Sequence, residues 1–197
     1  HRLIPPAMEL LLGVGDLHID GFIAPGHVSA IIGLKPYELF TRVYRMPTVV
    51  AGFEPNDVLM SIYLLLKQVS ENDAQLENEY SRVVKPEGNP KAIEMMKKAF
   101  TVTAGNWRGI GRLPDSALQL RTSRAQYDAR EKFNVHVKEG KDINFGCECH
   151  LVIIGKIKPK ECPLFLKACT PSSPVGACMV SSEGTCRVWA KNVAVQA

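Results

Sequence analysis

Residues 19–33, IDGFIAPGHVSAIIG, decide how this chain folds. An apolar run of strand length, Ile19 to Ile23, meets Pro25 and Gly26, which break a ladder, and an apolar helical segment opens at His27. The same grammar returns at residues 47–57, PTVVAGFEPND. There Thr48 to Phe53 form the strand, and Pro55 opens the next helix at a first-turn position where its missing N–H is not needed. Strands alternating with helices at this spacing predict a parallel sheet with right-handed crossovers, so the expected fold class is α/β, built from βαβ units.

Working outward, IPPAMELLLG predicts a helix with proline in its first turn and Gly13 as its stop. A further helix is expected from Pro36 in KPYELFTRVYRM. NDVLMSIYLLLKQVS is apolar on most of its faces, as expected of a helix packed on a sheet and beneath neighbouring elements. Beyond the polar loop ENDAQLEN, YSRVVKP predicts one more strand, and GNPKAIEMMKKAF a helix capped by Asn89 with Pro90 in its first position. TVTAGNWRGIGRLPDSALQL is glycine-rich and mixed, and SRAQYDAREKF predicts a last helix. There is no internal repeat or low-complexity linker. Composition changes only near Gly140, which divides the chain into an expected α/β domain, 1–140, and a cysteine-rich, loop-dominated domain, 141–197.

At 197 residues and 46% hydrophobic, the chain can bury a core. It starts HRLIPPAMELLLG, without an initiator methionine or a signal peptide, and is expected to be a piece of something longer. No apolar stretch reaches the roughly 20 residues of a membrane span, so a soluble, cytoplasmic protein is expected. The net charge of +4 is spread among acids, as in RAQYDAREKF, which argues against a nucleic-acid partner.

The six cysteines, Cys147, Cys149, Cys162, Cys169, Cys178 and Cys186, all fall in the last quarter. A disulfide framework would need an oxidising compartment and a domain too small for a core. A structural zinc site favours paired ligands two to four residues apart, whereas the intervals here are one, twelve, six, eight and seven residues. An iron–sulfur cube can be gripped by widely spaced thiolates from irregular loops, and Pro163, Pro171, Pro174, Gly176 and Gly184 supply the irregularity. Lys156, Lys158, Lys160 and Lys167 could offset thiolate charge. Spacing favours the cluster. An α/β binding module clipped by a structural zinc–thiolate tail is the main alternative, with the disulfide framework as a third.

Three other side chains are candidates for chemistry. His27 lies in PGHVS, where backbone N–H groups after a strand can receive an anion, although turn chemistry and helix capping explain the motif equally well. Glu54, in GFEP, follows the second strand as a proton relay or as a helix-terminus acid, and Asp57 is a first-turn acid of the same helix. Glu183, in SSEG, is the acid nearest the thiols, as a relay or a lysine-paired loop residue. NWRGIG lacks the spacing of a dinucleotide fingerprint or a P-loop, so no nucleotide site is expected.

The strings IDGFIAPGHVSAIIG, MPTVVAGFEPNDVL, GNPKAIEMM, NWRGIGRLPDSALQLR, IGKIKPKECPLF and ACTPSSPVGACMVSSEGTC together resemble the C-terminal half of the HypD family of NiFe-hydrogenase maturation proteins. The resemblance spans nearly the whole chain. It implies an assembly scaffold rather than a turnover enzyme, working with a HypC-like small chaperone and a HypE-like cyanide donor. On it, a transient iron receives cyanide and carbon monoxide before insertion into hydrogenase. It also implies a 4Fe-4S cluster of redox function, whose ligands match Cys149, Cys162, Cys169 and Cys186. Cys147 could exchange roles with Cys149, and Cys178 is expected to be a packed thiol. The family signature PGHVS favours a functional His27, and the resemblance favours a relay role for Glu183. His150 stands where the family places glycine, as a bystander or a rival ligand. The family's N-terminal half, with the cysteine motif for the nascent iron, is not in this sequence, so the chain alone is not expected to complete the chemistry.

Overall fold

The computed structural model describes residues 1–13, 18–107, 110–136 and 146–196. Helix α1 (Ile4–Gly13) precedes strand β1 (Phe22–Pro25), and α2 (Gly26–Ile32) follows it without a break. A 3-10 turn (Lys35–Tyr37) and α3 (Glu38–Arg42) lead to β2 (Thr48–Ala51), then α4 (Pro55–Glu71) to β3 (Leu76–Asn78). The three strands form a parallel sheet in the order β1-β2-β3, with Phe22 opposite Thr48 and Thr48 opposite Leu76. The chain is thus α/β with a parallel sheet.

The boundaries differ from expectation for physical reasons. β1 begins at Phe22 and runs through Pro25, because β1 is an outer strand and a proline without an N–H is tolerated there. Pro25 therefore caps α2, and His27 lies in its first turn rather than at the cap. The third strand is not YSRVVKP. It is Leu76–Asn78, inside the stretch expected to be a polar loop, and residues 79–83 turn away from it. Val84, from the displaced segment, is an anchor of the core instead.

Helix α4 departs furthest from expectation. Its buried residues are polar, Asp57, Ser61 and Gln68. Val58, Leu59, Met60, Ile62, Tyr63, Leu66 and Val69 are exposed. Each buried group is bonded: Ser61 Oγ donates to the Val58 carbonyl (2.8 Å), and the Gln68 amide donates to Glu77 (2.7 Å) while accepting from the Gln75 N–H (2.9 Å). Buried polar groups with partners cost little, so the polar stripe can face inward.

Beyond the sheet, α5 (Pro90–Ala99) starts as expected, with the Asn89 side chain accepting from the Ala92 N–H at 3.0 Å. The glycine-rich stretch is an antiparallel hairpin, β4 (Phe100–Trp107) with β5 (Gly111–Leu120). Trp107 Nε1 donates across it to Ser116 Oγ at 2.8 Å. The expected helix at 123–133 is split into a 3-10 turn (Thr122–Tyr127) and α6 (Ala129–Lys132). Asp128 divides them by accepting the Arg130 N–H at 2.9 Å, an N-cap bond that starts a new helix. The tail carries α7 (Cys149–Ile153), α8 (Ala177–Val180) and α9 (Thr185–Gln196).

Two apolar clusters hold these elements. One centres on Met8, Ala24, Tyr37, Phe40, Val50 and Val84 under the sheet. The other consists of cysteines with Val152, Met179 and Ala190. The expected boundary near Gly140 lies outside the described residues. No helix among the described residues is long and apolar enough to cross a membrane.

Candidate functional site

All six cysteines are buried as free thiols, and all six line one chamber together with Phe165, Gly176 and Met179. Short elements bring them there. Cys149 opens α7, Cys178 lies in α8, and Cys186 is in the first turn of α9. Cys162 follows a 3-10 turn (Pro159–Glu161), closed where Glu161 accepts the Lys158 N–H at 2.6 Å. Cys169 closes a tight turn, its N–H donating to the Leu164 carbonyl at 2.9 Å, with Leu166 in the left-handed region (φ 54°). A Cβ at Gly176 would run into Cys147 Sγ, so any larger residue there would have to displace that thiol. The Arg187 guanidinium ties two of the loops, donating to the Pro171 carbonyl at 2.6 Å and to that of Met179 at 3.4 Å.

The electrostatics of the chamber are uneven. A hydrogen bond with the Cys178 thiol draws Cys149 down to about 5. That same bond, followed by burial, pushes Cys178 up. Burial pushes Cys147 and Cys186 up to about 11 each. The Val175 N–H donates to Cys169 Sγ at 3.3 Å, a contact that suits a sulfur bearing negative charge. The expected lysine contribution is not the cause at Cys149, and Lys158, Lys160 and Lys167 stand exposed.

The donor set fits an iron–sulfur cluster in kind, since such clusters are held by four cysteine thiolates. Free space in the chamber is only about 10 Å³. Among the described residues no group of three or more His, Cys, Asp or Glu side chains is arranged to hold a single metal ion. Cys149, Cys162, Cys169 and Cys186 all line the chamber, as do Cys147 and Cys178, which sequence reasoning had set apart. His150 is exposed on α7 and does not line it. Glu183 is also exposed outside the lining, its N–H donating to Ser181 Oγ at 3.3 Å.

A second constellation stands at the C-terminal ends of β1 and β2, where open α/β sheets bind ligands. His27 and Phe53 approach with ring centroids 5.2 Å apart. Ser29 of the same motif is committed to the fold, its hydroxyl donating to the Pro25 carbonyl (2.9 Å) and lying 3.3 Å from Tyr37 Oη. The Tyr80 ring sits over both glycines that follow the strands, so a Cβ at Gly26 or at Gly52 would collide with it. Glu54 is the N-cap residue of α4, 60% exposed, and accepts from Arg82 Nη2 at 3.1 Å. Asp57, 5% exposed, takes the same nitrogen at 2.6 and 2.8 Å. The Arg82 guanidinium beside it, then the Glu54 side chain and, least, the Glu54 N–H, hold the Asp57 carboxyl below the usual aspartate range.

Sequence reasoning missed Arg82, Tyr80 and Arg187. Arg82 and Tyr80 were hidden by reading YSRVVKP as a strand. The paired glycines after the two strands were the available signal, because each leaves room that something else must fill.

Comparison with known proteins brings this arrangement into a family. The model described as "HypD: Hydrogenase formation hypA family" matches residues 1–193. The chain is 43% identical to the hydrogenase expression/formation protein HupD of Azotobacter chroococcum, over 96% of this chain and 51% of that protein. It is 44% identical to a hydrogenase maturation factor of Bradyrhizobium diazoefficiens, over 96% of this chain and 51% of that one. It is 43% identical to the hydrogenase maturation factor HypD of Cupriavidus necator, over 94% and 51% respectively. The chain therefore spans about half the length of the curated relatives it matches.

Proposed function

The chain belongs to the HypD family of hydrogenase formation proteins, and from that premise we propose that it contributes a cluster-holding part and a strand-end crevice to a hydrogenase maturation scaffold. Cys149, Cys162, Cys169 and Cys186 hold a 4Fe-4S cluster, within a metal-binding unit at 141–197 that follows an α/β unit at 1–140. The observation that carries this reading is that six free, buried thiols line one chamber in a chain of this family. A bound 4Fe-4S cluster would supply one-electron redox chemistry. The chain's own part is to exclude water with Phe165 and Met179, to keep the loops joined through Arg187, and to favour the thiolate of Cys149 through its bond with the Cys178 thiol.

At the crevice, His27 presents an imidazole packed on the Phe53 ring and Glu54, next in sequence to Phe53, a carboxylate bonded to Arg82, groups suited to holding or moving a proton at a polar substrate. The substrate in this reading is the iron that acquires cyanide and carbon monoxide. A HypC-like chaperone and a HypE-like cyanide donor act with the scaffold, in a reducing cytoplasm that keeps the thiols free. Glu183, exposed outside the chamber, serves at most as a relay at its outer surface.

Anaerobic reconstitution with iron and sulfide tests the reading. The expected result is visible absorption with about four irons and four sulfides per chain. That content is lost in Cys149→Ser and kept in Cys147→Ser. Colourless zinc uptake with no iron and sulfide retention would replace the cluster with a structural zinc clip.

A further inference from the structure

We propose that Arg82 is a positioning residue that fixes the Glu54 carboxylate at the N-terminal end of α4, beside the strand-end crevice proposed above. The proposal rests on the reading above only in taking that crevice to be the working site. It begins with the anchoring of Arg82. Its guanidinium lies 4.4 Å from the centroid of the Tyr80 ring, a cation–π contact, and Tyr80 is seated by the clearance over Gly26 and Gly52. Nη2 is tied to Asp57, which is buried in the first turn of α4. Ring and carboxylate together hold the guanidinium still.

The same nitrogen reaches Glu54 Oε2 at 3.1 Å. A glutamate this exposed, left alone, would sample several rotamers, and an isolated surface ion pair would seldom hold it. Bonding to a guanidinium already held by the Asp57 carboxylate and the Tyr80 ring changes that. The carboxylate is then held at the N-terminal end of α4, and Glu54 is next in sequence to Phe53, whose ring packs on His27. Glu79 completes the surroundings: Oε1 lies 4.0 Å from Arg82 Nη1, and Oε2 is buried without a hydrogen-bond partner among the described residues. One guanidinium thus stands among three carboxylates, and without it Asp57, Glu79 and Glu54 would repel one another.

Carbon-13 NMR of the glutamate carboxyls in the 197-residue chain is the test, comparing wild type with Arg82→Gln, Arg82→Ala and Arg82→Lys. Arg82→Gln keeps hydrogen-bond donors near Asp57 and so guards against a variant that fails to fold. The expected result is that the Glu54 carboxyl resonance moves, and its side-chain order falls to that of an unbonded surface glutamate, in Arg82→Gln and Arg82→Ala. Arg82→Lys should recover part of the order. An unchanged Glu54 signal in folded Arg82→Gln overturns the proposal. So does equal order in Arg82→Lys and Arg82→Gln, because a purely structural residue would not respond to the restored charge. Whether the crevice serves maturation is decided separately, by the yield of mature hydrogenase with Glu54→Gln, and neither result depends on the other.

Discussion

The strand-end crevice and the thiol chamber are built on opposite plans. At the strand ends most groups bond one another, with Glu79 Oε2 the exception: glycine clearance seats a ring, the ring seats a guanidinium, and the guanidinium binds carboxylates. In the chamber the converging groups are in conflict. One thiol is drawn down only by pushing its neighbour up, and two more are raised by burial. The like groups of the chamber crowd together, a conflict that the proposed cluster would relieve by holding them as thiolates.

Substitutions that strike one plan and spare the other can break this contrast. The largest effect is expected from Gly176→Val, whose branched side chain would meet Cys147 Sγ. It should cost about 1–3 kcal/mol or more through overpacking and abolish iron retention. Iron content and thermal unfolding measured together would check this, and full iron loading would sink it. Next is Gly26→Ala, whose methyl would press on the Ala51 carbonyl and the Tyr80 ring. The expected loss is about 1–3 kcal/mol in urea denaturation, with iron content unchanged.

A smaller effect belongs to acid. Because the Asp57 carboxyl is held below its ordinary range, the folded state binds that proton more weakly than the unfolded chain does. Its contribution is therefore present above the unfolded aspartate value of about 4 and is shed as pH falls through the lower folded value. Asp57→Asn should flatten the decline in melting temperature on the acid side, and parallel decline in both proteins would refute the assignment. The smallest effect is expected on the outer face of α4. Leu59→Lys and Leu66→Lys alter residues 66% and 63% exposed, so stability should change by no more than about 0.5 kcal/mol each. A larger loss in either would mean that the face is covered in solution.

Much of the α/β part was legible because its signals are local. Pro25–Gly26, Pro55 and Asn89–Pro90 each mark a junction by their own stereochemistry, and each junction appears within a residue or two of where the sequence places it. What was not legible depends on partners distant in sequence. Leu76–Asn78 becomes a strand only because the edge of β2 is open to it. The orientation of α4 depends on acceptors and donors at Val58, Gln75, Glu77 and Arg82 that apolar periodicity does not register. In the tail, spacing showed that the thiols could converge, but no spacing rule separates Cys147 and Cys178 from the other four, because burial and the Gly176 clearance bring all six to one place.

The Tyr80 ring over Gly26 and Gly52 ties three positions far apart in the chain into one steric unit. A side chain larger than hydrogen at either glycine would evict the ring, and the cation resting on the ring would leave with it. Sequence drift at any one of these positions is therefore constrained by the other two, and a designer could retune the crevice only by exchanging all three at once.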